Sequence, residues 1–329
     1  MTDTGPRDLA DRFQRRWLEH NPFAATVYGI PGYDHLLPDE SEAGEQAWRA
    51  EVGRFLDEAG TITAGTPAEA VTLGCVRGAG AHEQDGIDMA SAEHTVTAMQ
   101  FAGPATFLAA AARTILVDPE AAEAYLTRLR GSGTWFGQLG ERLRTGARKG
   151  RLPVAPLAER AVAWAQNVLP GLGPVFAPQP PPGWARAAAW EQERQAVADE
   201  VVRPALARWV ETVRELLPQA RPSDRAGLVW LPGGQEDYAR AVRIFTTLPR
   251  SAEELHQTGL DQVAELEARA VRLAPGSGCP GGTRYSTRCA PRRGRSPPRR
   301  PSARRWPPCG GPRRGPASCS RSPCRRRAR

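Results

Sequence analysis

Residues 185–217 read ARAAAWEQERQAVADEVVRPALARWVETVRELL, the longest helical pattern in a chain of 329 residues. Apolar side chains recur at the three- and four-residue spacing of one helix face. They are Trp190, Val197, Val201, Leu206, Trp209, Val213 and Leu216. The pattern predicts a helix with this stripe buried, kinked at Pro204 because proline lacks the N–H donor and its ring clashes with the preceding turn.

Shorter segments on both sides carry the same helical spacing. Helices are predicted over residues 8–19, 24–28, about 41–59, 67–76, 118–130, 131–149, 155–168, from about 235, and 251–273. Residues 30–38 are predicted to be an ordered loop, residues 82–86 the least regular stretch, and residues 170–183 a connection. Residues 228–231 form the only candidate strand and are too short to define a sheet. The predicted fold is therefore mostly α, an irregular assembly of helices. Any helical stretch longer than ~25 residues is expected to contain a break.

The last predicted helix begins with Ser251-Ala-Glu-Glu254, the pattern of a capping box. The serine hydroxyl is expected to accept a hydrogen bond from the amide of Glu254, whose carboxylate reaches back to the amide of Ser251. The helix then carries an apolar stripe made of Leu255, Leu260, Val263, Leu266, Ala270 and Leu273.

Charge divides the chain at residue 274. The whole sequence has 44 Lys and Arg against 36 Asp and Glu, but residues 275–329 hold 16 arginines and neither lysine nor acid. Residues 1–274 therefore carry 28 basic and 36 acidic side chains, a net charge of −8. The basic balance belongs to the tail, and the main part offers no field of the kind that nucleic acid or an anionic membrane attracts.

Cysteine and hydropathy indicate the compartment. Five of the six cysteines lie in residues 275–329, so Cys75 alone cannot make a disulfide framework in the main part. The first residues lack the basic start and apolar stretch of a secretory signal. No window approaches the ~18 apolar residues of a membrane span. We expect a cytoplasmic protein without a membrane partner.

Three blocks resemble the domain-of-unknown-function 885 family of bacterial proteins. They are residues 17–39 with Asn21-Pro-Phe-Ala-Ala-Thr-Val-Tyr-Gly29, residues 139–153 with Gly146-Ala-Arg-Lys-Gly-Arg-Leu-Pro153, and residues 238–265 with Thr246-Thr-Leu-Pro-Arg-Ser251. The resemblance implies a helical zinc peptidase or dipeptidase with a peptide-like substrate. The family is similar in expected architecture to helical zinc peptidases, in which a His-Glu-x-x-His helix and a later glutamate hold the metal, and the resemblance implies that this motif lies in the C-terminal half. The resemblance thus implies that residues 1–274 are half of a zincin-like fold, an N-terminal part without the metal site and inactive alone.

Two strings come near a metal motif. His82-Glu83-Gln84-Asp85-Gly86 has glycine where a zinc hydrolase needs its second histidine. Glu253-Glu254-Leu255-His256 offers two ligands on one helix face, but a di-iron site needs a second copy and further glutamates. The capping box explains Glu254 without a metal. We therefore predict no catalytic, cofactor-binding or metal-binding residue in this chain.

The remaining reactive side chains have ordinary structural interpretations. His20, His35 and His94 are expected to be solvated or to cap turns, and Cys75 is expected to be a small buried hydrophobe. The Gly171-Leu-Gly173 string lacks the strand that precedes a dinucleotide-binding loop, so it is interpreted as a linker.

The tail, residues 275–329, contains no Leu, Ile, Val, Phe or Met. A segment of this composition cannot bury enough apolar surface to fold, and it is predicted to be disordered. The favoured origin is a shifted reading frame of a GC-rich gene. The alternatives are a basic arm that binds nucleic acid and a cysteine metal knuckle at Cys319 and Cys324. With a genuine arm, the chain would be a helical interaction protein instead.

Overall fold

A computed structural model describes residues 5–99 and 103–273. The described residues are mostly α-helical and contain no β-strand, apart from an isolated bridge between Val154 and Arg221. The helices are α1 (Pro6–His20), α2 (Pro22–Tyr28), α3 (Glu42–Thr61), α4 (Pro67–Asp88), α5 (Pro104–Ala111), α6 (Pro119–Arg148), α7 (Ala155–Val168), α8 (Leu172–Val175), α9 (Ala187–Val197), α10 (Arg203–Leu216), α11 (Gly234–Thr246) and α12 (Ala252–Leu273). The predicted fold class, an irregular multi-helix assembly, is confirmed.

The disturbance predicted at Pro204 takes the form of a π-helical turn, Ala198–Val202, between α9 and α10. The proline ring would clash with the carbonyl of Glu200 in a regular helix, and the wider π-turn provides the room. The wider turn also changes which side chains face the core. Ala198 and Val202 are fully buried in place of the predicted Val197 and Val201, which are half-buried.

The main core lies between α6 and α10 and is closed by α5, α7 and α9. Trp190 and Leu206 are fully buried, and Trp209, Val213 and Leu216 lie beside them as predicted. The indole of Trp190 donates a hydrogen bond of 3.0 Å to the carbonyl oxygen of Ala122. A smaller core joins α1, α3 and α4 through Leu9, Phe13, Phe55, Ala59, Leu73 and Val76.

Capping residues begin several helices where the sequence predicted. Ser41 accepts a hydrogen bond from the amide of Gly44 at the start of α3, and Asp118 accepts one from the amide of Ala121 at the start of α6. The capping box of α12 is also confirmed, with both hydrogen bonds between Ser251 and Glu254 present. Side-chain oxygens at these positions satisfy amides that the helix itself leaves unpaired.

Four predictions of local structure were wrong. Residues 82–86 continue α4 to Asp88, and residues 119–148 form one helix of 30 residues instead of two. Residues 228–230 form a 3-10 turn, so the candidate strand does not exist. Residues 170–175, predicted as part of the connection 170–183, lie in a 3-10 turn, Leu169–Gly171, and in α8. For residues 119–148, burial of one face against α10 outweighs the low helix propensity of the glycines.

Glycine allows one close packing contact along α6. Gly146 lies against the carbonyl of Glu93 in the 3-10 turn Ser91–Glu93, and a Cβ atom there would come within 2.0 Å of that oxygen. Any larger residue at 146 would separate the turn from α6.

The chain divides into two compact units, residues 1–260 and 261–329. The described part of the second unit is the end of α12. The predicted boundary at residue 274, the predicted disordered tail and its Cys319 and Cys324 lie outside the described residues, so these remain predictions. No helix within residues 5–99 and 103–273 has both the length and the apolarity of a membrane span.

Candidate functional site

Two adjoining cavities lie in the first unit. The first cavity, of about 750 Å³, lies among the α1–α2 junction, residues 38–45, α4, α5 and α6. The second cavity, of about 740 Å³, lies between α1, the loop at residues 31–37 and the start of α3. Both volumes fall in the ~300–1,000 Å³ range of small-molecule sites.

An aromatic pair separates the two cavities. The imidazole of His20 stacks on the indole of Trp48, with ring centroids 4.6 Å apart and planes inclined by 16°. His20, Trp48 and Asp39 line both cavities. Burial lowers the pKa of His20, which favours the neutral ring at pH 7. A ligand that occupied both cavities would therefore pass this stacked pair.

Glu83 fixes the indoles beside the first cavity. Its two carboxylate oxygens accept hydrogen bonds from the Nε1 atoms of Trp17, at 2.7 Å, and Trp48, at 2.9 Å. The His82-Glu83 string thus belongs to the cavity wall, since His82 lines it as well. Within the part of the chain that the structure describes, however, no three His, Cys, Asp or Glu side chains are grouped as metal ligands.

Glu40 and Glu45 both line the first cavity, and their carboxylates differ in their hydrogen-bond partners. Glu45 accepts hydrogen bonds of 2.9 and 2.8 Å from one nitrogen of the buried Arg142. Burial raises the pKa of both carboxyl groups. The indole N–H of Trp135 and the charge of Arg142 act in the opposite direction on Glu40, but Arg142 gives its hydrogen bonds to Glu45.

Arg128 organises the loop beside the second cavity. Its fully buried guanidinium donates to the carbonyl oxygens of Leu36, at 2.9 Å, and Tyr33, at 2.7 Å, and to the hydroxyl of Thr26, at 2.8 Å. Burial lowers its pKa to about 10, and the Asp34 carboxylate, 3.4 Å away, opposes the shift. The predicted ordered loop at residues 30–38 is confirmed, and this single side chain explains its order.

Sequence reasoning missed Arg128, although a signal was present. The buried face of α6 includes Tyr125, Leu126, Leu129 and Ser132. Residue 128 falls on the same face by helical spacing, so a charged side chain there had to be buried with partners. Neither Trp48 nor Trp135 was singled out from the sequence as a site residue, and both line the first cavity.

A buried ionic network adjoins the first cavity. Glu93 is 2% exposed and pairs with Lys149 at 2.6 Å, and its carboxylate lies 3.6 Å from Arg151. Arg151 in turn donates to Asp237 of α11 at 2.8 Å. The network fastens α11 to the end of α6 and the residues that follow it.

His94 lies inside this network, so its predicted solvated or capping role was wrong. The side chain is 7% exposed, and burial together with Arg151 and Arg221 lowers its pKa to about 4. His35 is exposed and lines the second cavity, while His20 packs on Trp48. Cys75 was predicted to be buried, but it lies on the exposed face of α4 because Leu73 and Val76 occupy the core side.

The fold is similar to that of a solved structure titled "The crystal structure of the putative lipoprotein from Colwellia psychrerythraea". The TM-score is 0.66 at 16% sequence identity, and the match covers 83% of this chain and 52% of that chain. The chain thus spans about half the length of the solved protein that it resembles. No curated protein matches the chain. Residues 22–287, however, match the family described as "Bacterial protein of unknown function (DUF885)", and the chain therefore belongs to that family.

Proposed function

We propose that this chain forms one side of a substrate channel for a peptide-like ligand in a helical zinc peptidase and has no hydrolytic activity by itself. The observation that carries the proposal is that the two cavities share His20, Trp48 and Asp39 as wall residues. Two adjoining cavities of this size suit an extended ligand of a few residues better than one compact metabolite.

The cavity walls suit a peptide chemically. Val27 and Tyr28, which are 52% and 68% exposed, offer apolar surface to side chains, while Glu40 and Asp39 offer acceptors to peptide amides and amines. Such a mixture of apolar walls and a few placed polar groups is typical of sites that select orientation as well as shape. The walls are also stiff, because Trp135 packs edge-to-face on Phe23 with ring centroids 5.4 Å apart.

The proposed lack of hydrolysis rests on the sequence. No His-Glu-x-x-His string occurs in the 329 residues, and His82-Glu83 is followed by Gly86 at the position of the second histidine. Zinc hydrolysis needs protein ligands for the ion and a carboxylate that accepts a proton from the bound water. In the proposed full-length enzyme these groups come from the half of the fold that this chain lacks.

An exposed helix face is consistent with such a missing half. On α12, Leu260, Val263 and Leu266 are 50%, 55% and 62% exposed. The solved relative contains about as much chain again as the part that matches. We propose that the complementary helical half of the family's fold covers this face, since an amphipathic stripe gains stability only when it is buried.

Binding and hydrolysis should be measured separately on the full chain. Titration calorimetry with tripeptides should show binding, and mass spectrometry of the same mixtures with added zinc should show intact peptide. The variant Tyr28→Ala removes an exposed ring from the first cavity and should weaken binding. Cleavage would disprove the proposed inactivity, and an absence of binding to any tripeptide would disprove the channel.

The nucleotide sequence tests the proposed missing half. Translation of the region after codon 273 in the two other frames should reveal further helical sequence with a His-Glu-x-x-His string. Neither frame containing it would disprove the frameshift, and the arginine-rich tail would then need its own explanation as a genuine arm.

The proposed compartment is the cytoplasm, on the sequence evidence alone. The similar solved protein carries the word lipoprotein in its title, so the two proteins are proposed to differ in location. Fractionation of the native host with an antibody to this chain would decide, since recovery with membranes would contradict the proposal.

A further inference from the structure

The side chain of Arg151 joins α11 to the end of α6. Its guanidinium donates hydrogen bonds of 2.8 Å to the carbonyl oxygen of Pro232, just before α11, and to the carboxylate of Asp237 in the first turn of α11. It also donates to the carbonyl oxygen of Met89, which precedes the turn Ser91–Glu93. Arginine has five N–H donors and no acceptor, so one guanidinium can hold several elements together.

Helix α11 depends on such polar contacts for its attachment. Its buried residues are Gly234, Asp237 and Val242, whereas Tyr238 and Phe245 are 46% and 85% exposed. Little apolar area therefore holds this helix in place. Two further ion pairs connect it to α4, Arg243 with Asp85 at 2.6 Å and Arg240 with Asp88 at 3.8 Å.

The imidazole of His94 faces this junction as a hydrogen-bond acceptor. Its Nδ1 atom lies 3.5 Å from a terminal nitrogen of Arg151, and a guanidinium can only donate, so Nδ1 carries no proton. A proton on His94 would face the cations of Arg151 and Arg221 and the carboxylates of Glu93 and Asp237. Both carboxylates already have cationic partners. Asp237 pairs with Arg151 and Arg240, and Glu93 pairs with Lys149 and lies 3.9 Å from Arg142.

Local strain and unsatisfied groups make this junction easier to open. Ala90 has a φ of 44°, in the left-handed region that costs a residue with a Cβ atom energy. The Nε atom of Arg151 and one carboxylate oxygen of Glu93 are buried without a hydrogen-bond partner among the described residues. A buried network that is only partly satisfied gains from exposure to water, so a change of one charge can decide its state.

We infer that His94 is a pH-dependent latch on α11. When Nδ1 takes a proton, the imidazolium repels Arg151, the guanidinium leaves Asp237 and Pro232, and α11 separates from the end of α6 while α6 and α10 stay packed. Because Ser91 and Ala92 line the first cavity, the latch also links pH to that wall. The inference does not depend on the proposed peptide channel.

The size and sign of the effect follow from proton linkage. Burial, Arg151 and Arg221 hold the pKa of His94 at about 4 while α11 is attached, and exposure on opening restores the ordinary pKa of 6.5. The attached state is therefore favoured above pH 6.5 and loses this advantage as the pH falls toward 4. Between pH 7 and pH 5 the equilibrium constant for opening should rise about 20-fold.

Hydrogen–deuterium exchange with mass spectrometry on the full chain tests the latch at pH 7 and pH 5, after correction for the intrinsic exchange rates. Amides of α11 should show the rise of about 20-fold. They should also open more often than amides of α10 at both pH values, because α11 opens without global unfolding. In His94→Gln the rise should disappear. His35→Gln, which replaces an exposed histidine, should retain it.

A second variant separates the latch from a general loosening of α11. Arg243→Gln removes the ion pair with Asp85, so it should increase opening at both pH values and keep the ratio between them. A rise that persists in His94→Gln would overturn the latch. So would the absence of a rise in the parent chain, or equal opening constants for α10 and α11 at pH 5, since the latter would mean that acid unfolds both helices as one unit.

Discussion

Helices α10 and α12 carry similar apolar stripes and have opposite surroundings. On α10, Leu206 and Val213 are fully buried between α6 and α7. On α12, Val263 and Leu266 are more than half exposed. An apolar stripe therefore predicts a helix and the face that it will bury, but it does not predict that a partner is available. Four pairs of substitutions compare the region before α12 with α12 itself.

The largest difference in unfolding free energy is expected between replacing a buried arginine and replacing an exposed one. Arg128→Met removes the donors that hold the 30–38 loop and leaves buried carbonyl oxygens unpaired, so the free energy of unfolding should fall by about 3–5 kcal/mol. Arg269→Met on α12 changes an exposed side chain and should stay within about 0.5 kcal/mol. Urea unfolding measures both. Equal effects would show that Arg128 does not organise the loop.

Leucine gives the next comparison. Leu206→Ala leaves a cavity in the main core and should cost about 3 kcal/mol of unfolding free energy. Leu266→Ala should cost less than about 0.5 kcal/mol, since that side chain is 62% exposed. The same urea unfolding curves check the pair. A large loss at Leu266 would indicate that α12 has a packing partner in solution, such as a second copy of the chain.

The buried His94 makes the free energy of unfolding depend on pH. The folded pKa of His94 is about 4, below its ordinary 6.5, so the unfolded chain binds the extra proton first as the pH falls. Its contribution to stability is present above pH 6.5 and is lost toward pH 4, by about 2 kcal/mol between pH 7 and pH 5.

Variants of both histidines test that assignment. His94→Gln should flatten the stability curve in this window, as urea unfolding at pH 7, 6 and 5 would show. His256→Gln on α12 changes an exposed side chain and should alter the free energy of unfolding at pH 7 by less than about 0.5 kcal/mol. An unchanged slope in His94→Gln would assign the titration to another group.

The smallest effects concern two capping boxes. Thr66→Ala removes the cap of α4, which packs on α1 and α3, and should lower the free energy of unfolding by about 1 kcal/mol. Ser251→Ala removes the equivalent cap of α12. Hydrogen exchange should then show faster opening of the first turns of α12 without a change in global stability. A global loss at Ser251 would contradict the separate behaviour of α12.

Helix existence could be predicted well, and helix extent less well. Asp118, Ser41 and Ser251 cap the first turns of their helices with their own side chains, so the starts of these helices depend on local chemistry. The continuation of α6 through Gly131 and Gly133 depends instead on burial against α10, which no local propensity records. The same reason explains why α4 continues through residues 82–86.

The candidate site was largely invisible in the sequence. The sequence shows His82-Glu83 only as an incomplete zinc motif. In the structure, Glu83 orients two tryptophans that lie 35 and 66 positions away. The pairing of His20 with Trp48 and the exposure of Glu40 to an aromatic cavity are also long-range relations. Residue types and spacing cannot express these contacts, because they arise when separate helices pack.

The amino-acid sequence by itself determined the helical class, the helix caps and the break near Pro204, since these follow from periodicity, local hydrogen bonding and sterics. It also contains the blocks that identify the family. Only the tertiary structure decided which stripes are buried, that Arg128 holds a loop, and that His94 is neutral within an ionic network. These properties depend on desolvation and on partners distant in the chain. The exposed stripe of α12 shows the difference directly: its sequence specifies a face, and packing alone decides what covers it.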